Sequence, residues 1–172
     1  MPDKDTKHLD EDKAIEKVRE LIKHFRTAMM VTRGDDNEPH ARPMGLLGEP
    51  AEQFKGVLWF FADALSPKIH ELRQGATTLV FQNDKENAYM QLTGVATVID
   101  DKEKMKEFFT PIMKTWFPKG LDDPRLTLIR VDCSHGAFWD SPGGMLQVLG
   151  AFTKAVLTGT PGKGGESGEL KL

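Results

Sequence analysis

Apolar residues recur at helical spacing over residues 12–26, where Ile15, Val18, Ile22 and Phe25 form one stripe between charged positions. This predicts an amphipathic helix after a polar, mobile leader over residues 1–10. The period then shortens to two. TAMMVTR (27–33) predicts a strand, GDDNEP a turn and HARPMGLL the returning strand. Alternation places His40, Arg42 and Met44 on one face of that strand and Ala41, Pro43 and Gly45 on the other. Pro43 cannot donate to a ladder, so the strand belongs at an edge or a break. GVLWFFA (56–62) is apolar on both faces and is expected to be central. A short helix follows over Pro67 to Gln74, with Ser66 as its N-cap and Gly75 as its stop.

ATTLVFQ predicts the fourth strand and AYMQLTGVATVID a long fifth. In the fifth, Met90, Leu92, Ala96 and Val98 share one face, while Tyr89, Gln91, Thr93 and Thr97 share the other. Gly94 marks a bulge or a tight barrel corner. From Asp101, the residues Met105, Phe108, Phe109, Ile112, Met113 and Trp116 follow helical spacing, with a kink or restart at Pro111. RLTLIRVDCSHGAFWD predicts a strand, a break near Ser134 to Gly136 and a short strand carrying Trp139. MLQVLGAFTKAVLTG predicts a closing helix, and residues 159–172 a disordered tail. Antiparallel strands with a few outer helices predict an α+β fold: one small β-barrel domain over residues 11–158.

Composition narrows the function. The 172 residues are 39% hydrophobic and 28% charged, which suits a globular protein with its own core. A net charge of -3 argues against a general nucleic-acid binder. A single cysteine, Cys133, allows no intrachain disulfide and fits a reducing cytoplasm. No segment reaches the roughly 20 apolar residues of a membrane span. The five histidines are scattered without metal-ligand spacing, so no metal is expected. The tail's GKGG lacks the remainder of a phosphate-loop pattern.

Lys68 falls in the first turn of a predicted helix, at the positive end of its dipole. Either it extends into water at a small cost, or an anion binds there with the Ser66 hydroxyl and the free N–H groups. A phosphate monoester carries nearly two charges, so one lysine would neutralise it poorly. Arg42, on a neighbouring strand, is the candidate second cation. Trp116 and Trp139 lie near chain breaks, where they pack in the core or offer surfaces to a planar heteroaromatic ligand.

Taken in order, HARPM, LWFFADALSPKIHEL, YMQLTGVATVI, WFPKGLDDPRLTLIRV, FWDSPGG and FTKAVLTG resemble one family. It is the general stress protein 26 group of the pyridoxamine 5'-phosphate oxidase-like, FMN-binding split-barrel superfamily. The resemblance spans residues 14–159. It implies a six-stranded antiparallel split β-barrel with peripheral helices, forming a homodimer with FMN, or FAD, between its subunits. It further implies that Arg42, Ser66 and Lys68 grip the FMN phosphate. The strand end Phe60, Phe61, Ala62 and Asp63 would run along the flavin ring, with Met44 close by. Tyr89 would contact the ring, Trp139 would come from the partner subunit, and Trp116 would line the pocket. The implied activity is that of a cytoplasmic flavin-dependent oxidoreductase linked to stress, with an unknown small-molecule substrate. The alternatives are a non-catalytic flavin store and a split barrel holding haem or a deazaflavin. The chain departs from the oxidases in having Ser-Pro-Lys for Ser-Arg-Lys. It also has no visible C-terminal arginine–histidine motif, which argues against vitamin B6 oxidation. His40, Asp63 and Tyr89 are the candidates for proton transfer.

Overall fold

The structure, a computed structural model, describes residues 7–140 and 166–172. Its elements are β1 (Lys7–Leu9), α1 (Glu11–Ile22), β2 (Thr27–Arg33), β3 (Pro39–Gly45), α2 (Pro50–Gln53), β4 (Val57–Asp63), α3 (Lys68–Glu71), β5 (Thr77–Asn83), β6 (Ala88–Ile99), α4 (Lys102–Phe108), β7 (Leu126–Asp140) and β8 (Glu166–Lys171). The closing helix expected from residue 145 lies outside the described residues.

The strands run in the order β1-β8-β7-β6-β5-β2-β3, with β4 on β7. Neighbours pair antiparallel except β1 with β8, which is parallel. Strands β2 to β7 form the expected six-stranded split barrel, and β1 and β8 extend its sheet. Both additions fall in segments expected to be mobile or disordered. Their backbone groups are instead paired: Lys7 lies opposite Gly168, and Gly136 opposite Leu170. Leu170 packs into the main core, and a polar composition hides that contribution.

The fifteen-residue β7 organises the barrel. One edge follows β6 from Leu128 to Asp140, whereas the other pairs with β4 from Leu126 to Asp132 and with β8 from His135 to Asp140. No chain break separates these halves. A bulge does so: Thr93 lies opposite His135 and Gly94 opposite Cys133, leaving Ser134 as the extra residue. Gly94 permits the bulge because a Cβ there would lie 2.0 Å from the Asp132 carbonyl oxygen. At Gly136 a Cβ would lie 2.2 Å from the Gln91 carbonyl oxygen.

The barrel interior holds the main core, including Met30, Phe60, Phe81, Leu92, Ile129 and Phe138, closed at one side by Val18, Leu21 and Ile22 of α1. A second cluster lies outside, built on Leu47, Met105, Phe108, Phe117, Leu126 and Leu128. Strand β4 separates the two clusters. Leu58, Phe60 and Ala62 face the barrel, while Trp59 and Phe61 face the second cluster. Coverage on both faces explains its unbroken apolar run. It is nevertheless an edge strand, not the central one expected, because it pairs with β7 alone among the described residues. Among the described residues strand β3 pairs only with β2, as the missing N–H of Pro43 favours. A bond from Leu47 N–H to the Trp59 carbonyl oxygen (3.1 Å) links β3's end to β4, and the rest of that seam is open.

Helix α4 stops at Phe108. Thr110, before proline, is extended (φ -118°, ψ 155°), and a 3₁₀ turn restarts over Pro111–Thr115. The restart was expected, but the apolar stripe does not survive it: Ile112 is 69% exposed and Trp116 68%. Lys17, buried on α1, bonds Asp140 at 3.0 Å and Glu20 at 3.3 Å, and lies 5.1 Å from the Phe138 ring centroid. It ties the helix to the end of β7.

Gly94→Val forces β6 away from Asp132 and should cost about 1–3 kcal/mol, as overpacking of a close contact does. Urea unfolding of wild type and variant measures the difference, and equal midpoints would remove the bulge from its organising role.

Candidate functional site

One corner of the barrel gathers polar groups from β2, β3, β4 and α3. Thr32 and His40 are register partners across β2 and β3, as are Met30 and Arg42. Opposed residues share a face, so Arg42 and Thr32 follow Met30 along the inner face. This confirms the expected grouping of His40, Arg42 and Met44. The Arg42 guanidinium donates from Nη1 to Thr32 Oγ1 and to the His40 carbonyl oxygen (3.1 Å), and from Nη2 to Glu71 Oε2. Thr32 Oγ1 also donates to Glu71 Oε2 at 2.5 Å, and His40 Nδ1 lies 2.9 Å from Glu71 Oε1.

Glu71 is 8% exposed. Burial alone would raise its pKa, but donors from Thr32 and His40 and the charge of Arg42 outweigh that and hold it below the ordinary carboxylate value. The bond to Glu71 in turn raises His40 above its ordinary 6.5, with Asp36 adding to the effect.

Beyond β4 the chain turns sharply. Asp63 accepts from Leu65 N–H (3.0 Å), and its carbonyl oxygen accepts from Ser66 N–H (3.0 Å). Arg125 anchors the same carboxylate, through Nε at 3.2 Å and through Nη2. Arg125 and the Leu65 N–H hold the Asp63 pKa down. The expected N-cap is not made: Pro67 is the capping residue of the four-residue α3. The Ser66 hydroxyl instead accepts from Lys68 Nζ at 3.0 Å. Lys68 is partly buried. Burial first, then the nearby charge of Arg42, pushes its pKa below the ordinary lysine value. No carboxylate lies within ion-pair distance of Lys68 among the described residues.

Ser66 and Lys68 share one turn, and Arg42, from β3, lies near enough for its charge to act on Lys68. The other expected site residues divide. Met44, Phe60 and Ala62 send their side chains into the core, and Phe61 packs on Phe109 with ring centroids 6.2 Å apart. The backbone tells a different story. Trp59 turns its peptide groups toward β3, and alternation turns those of Phe61 to the same open edge. Tyr89 and Trp139 are register partners on the outer face of β6 and β7, away from Arg42. Tyr89 donates to Asp84 (3.2 Å), which raises its pKa, and Trp139 is 50% exposed. Trp116, on its exposed 3₁₀ turn, joins neither group. Burial pushes the Cys133 thiol up to about 12, which leaves it protonated and inert.

Thr32, Glu71 and Arg125 were missed in the sequence. The available signal for Thr32 was a polar side chain in register with Ala28 and Met30 on the inward face of β2. The signal for Glu71 was a carboxylate one helical turn after Lys68.

Comparison with known proteins agrees with this architecture. The profile of the family described as pyridoxamine 5'-phosphate oxidase like matches residues 13–162. A protein of Jannaschia sp. CCS1 assigned to general stress protein 26 superposes with a TM-score of 0.74 at 21% identity, covering 95% of this chain and 100% of that one. The general stress FMN/FAD binding protein of Xanthomonas citri gives 0.62 at 26% identity, over 75% of this chain and 89% of that one. Protein bli-3 of Neurospora crassa is 22% identical over 160 residues, or 87% of this chain and 76% of its own length.

His40's raised pKa has a definite sign. The stability it contributes is full below its ordinary 6.5 and is lost as pH rises through the higher folded value. Thermal melts from about pH 6 to pH 8.5 should show the midpoint falling in wild type and a flatter profile in His40→Gln. Equally steep profiles would show that the His40–Glu71 bond does not stabilise the fold.

Proposed function

This chain belongs to the pyridoxamine 5'-phosphate oxidase-like family, and we propose that it binds FMN, with the phosphate seated against Lys68, Ser66 and Arg42. The observation that carries this reading is the convergence of two cations that repel each other. Lys68 is partly buried beside Arg42, and its one hydrogen bond among the described residues goes to a neutral hydroxyl. Arg42 already has Glu71 as a counter-ion, but Lys68 has no carboxylate within ion-pair distance among the described residues, and a phosphate dianion would supply it. The group therefore fits the residues present. The name of the Xanthomonas citri neighbour, an FMN/FAD binding protein, supports a flavin.

The open edge of β4 supplies the rest of the site. Phe61's N–H and C=O line the seam between β3 and β4, where the polar edge of a ring would find a donor and an acceptor. Bound FMN would supply hydride or electron transfer, making the protein a flavin-dependent oxidoreductase. We also propose a homodimer formed through the outer sheet face, where Met29, Val80 and Val95 are exposed beside Tyr89 and Trp139.

One observation favours a flavin carrier without turnover. Each expected proton-transfer group is already engaged: His40 with Glu71, Asp63 with Arg125 and Tyr89 with Asp84. Oxidation of reduced nicotinamide by the flavin-loaded protein would decide for the enzyme, and tight binding without turnover for the carrier.

Titration of flavin fluorescence tests the phosphate site. A charged hydrogen bond contributes about 1.5–3 kcal/mol, so Lys68→Ala or Arg42→Ala should weaken FMN roughly tenfold to a hundredfold. Riboflavin, which has no phosphate, should bind wild type and variants alike. An unchanged FMN dissociation constant in both variants would refute the assignment.

A further inference from the structure

The Arg42 guanidinium has five N–H groups, of which three are used. Two go from Nη1 to Thr32 and the His40 carbonyl, and one goes from Nη2 to Glu71. The two side-chain acceptors are bonded to each other, with Thr32 Oγ1 and Glu71 Oε2 2.5 Å apart. They therefore stand together across the Nη1–Nη2 end of the guanidinium. Nε–H and one Nη2–H have no partner among the described residues, and they form the side edge, which fits an oxyanion in two parallel bonds. We infer that Thr32 and Glu71 act as a clamp, a pair of positioning residues that hold the end of Arg42 and leave its Nε–Nη2 edge for the phosphate beside Lys68. This rests on the FMN reading above and adds to it how the site selects a phosphate.

A rival role for Glu71 is that of an internal anion, holding Arg42 until phosphate displaces it. Burial and bonding oppose that role. Glu71 is 8% exposed, and Thr32, His40 and Arg42 all donate to it. Releasing Arg42 would leave a buried carboxylate short of its strongest partner, whereas binding at the free edge breaks no bond. Holding the arginine also avoids fixing a long side chain at the moment of binding.

Thr32→Val tests the clamp without changing charge. It keeps the side-chain shape, removes the acceptor for Nη1 and removes one donor to Glu71. Glu71→Met removes both acceptor oxygens together with a negative charge. Fluorescence titrations with FMN and with riboflavin are compared for wild type, both variants, Arg42→Ala and the double variant Thr32→Val/Arg42→Ala. Melting curves confirm that each is folded. FMN should bind about five- to tenfold more weakly to Thr32→Val, and more weakly to Glu71→Met despite the lost like charge, with riboflavin unchanged. In the Arg42→Ala background, Thr32→Val should have no further effect on FMN. Tighter FMN binding by Glu71→Met would make Glu71 a competitor and overturn the clamp. So would equal losses for FMN and riboflavin, or an unaltered Thr32→Val. Failure of folded wild type to bind FMN would instead overturn the flavin reading, and the clamp with it.

Discussion

The contact on which the barrel turns is the approach of β6 to the Asp132 carbonyl, possible only where Gly94 has no side chain. The bulge there changes the partner of β7 from β4 to β8 without breaking the strand. Among the described residues, strand β4 pairs along one edge only, with β7, and a single Leu47–Trp59 bond touches the other. Its other edge faces β3 across the seam, and that open seam is where Arg42 and the turn carrying Ser66 and Lys68 meet. A continuous closed barrel would have paired these edges and left no backbone groups for a ligand.

Charge in the candidate site is arranged in two layers. The inner layer is a buried carboxylate satisfied by a hydroxyl, an imidazole and a guanidinium. The outer layer of the proposed site is cationic, formed by Lys68 and the edge of Arg42 that has no partner among the described residues. In the proposed site the inner layer would fix direction and the outer layer would supply attraction. Asp63 does comparable work on the opposite rim, where its bonds to Arg125 and the Leu65 N–H shape the turn that delivers Lys68.

Much of this was legible in the residue pattern, for identifiable reasons. The inward and outward sets of β3 and β6 follow from two-residue alternation, which the pleat enforces whatever the strand's neighbours. The bulge at Gly94 and the restart at Pro111 follow from local sterics. Arg42, Ser66 and Lys68 could be grouped because a cation at a helix start requires an explanation. The errors arose where pattern and position differ. β4 is apolar on both faces because two clusters cover it, and the same run would mark a central strand. Residues 166–171 pair with two strands, although their composition reads as disordered.

The sequence by itself determined which residues share a face, the bulge at Gly94 and the restart at Pro111, and which residue types could bind a phosphate, because these depend on chain geometry within a few residues. Only the tertiary structure decided that Glu71 and Thr32 stand together behind Arg42. Those three residues are 39 and 29 positions apart as Thr32–Glu71 and Arg42–Glu71 pairs. Their meeting depends on the β2–β3 register and on the turn that returns α3 to the barrel. It also decided that Tyr89 and Trp139 lie across the sheet from the cations, because alternation gives two faces and only packing chooses which one covers the core.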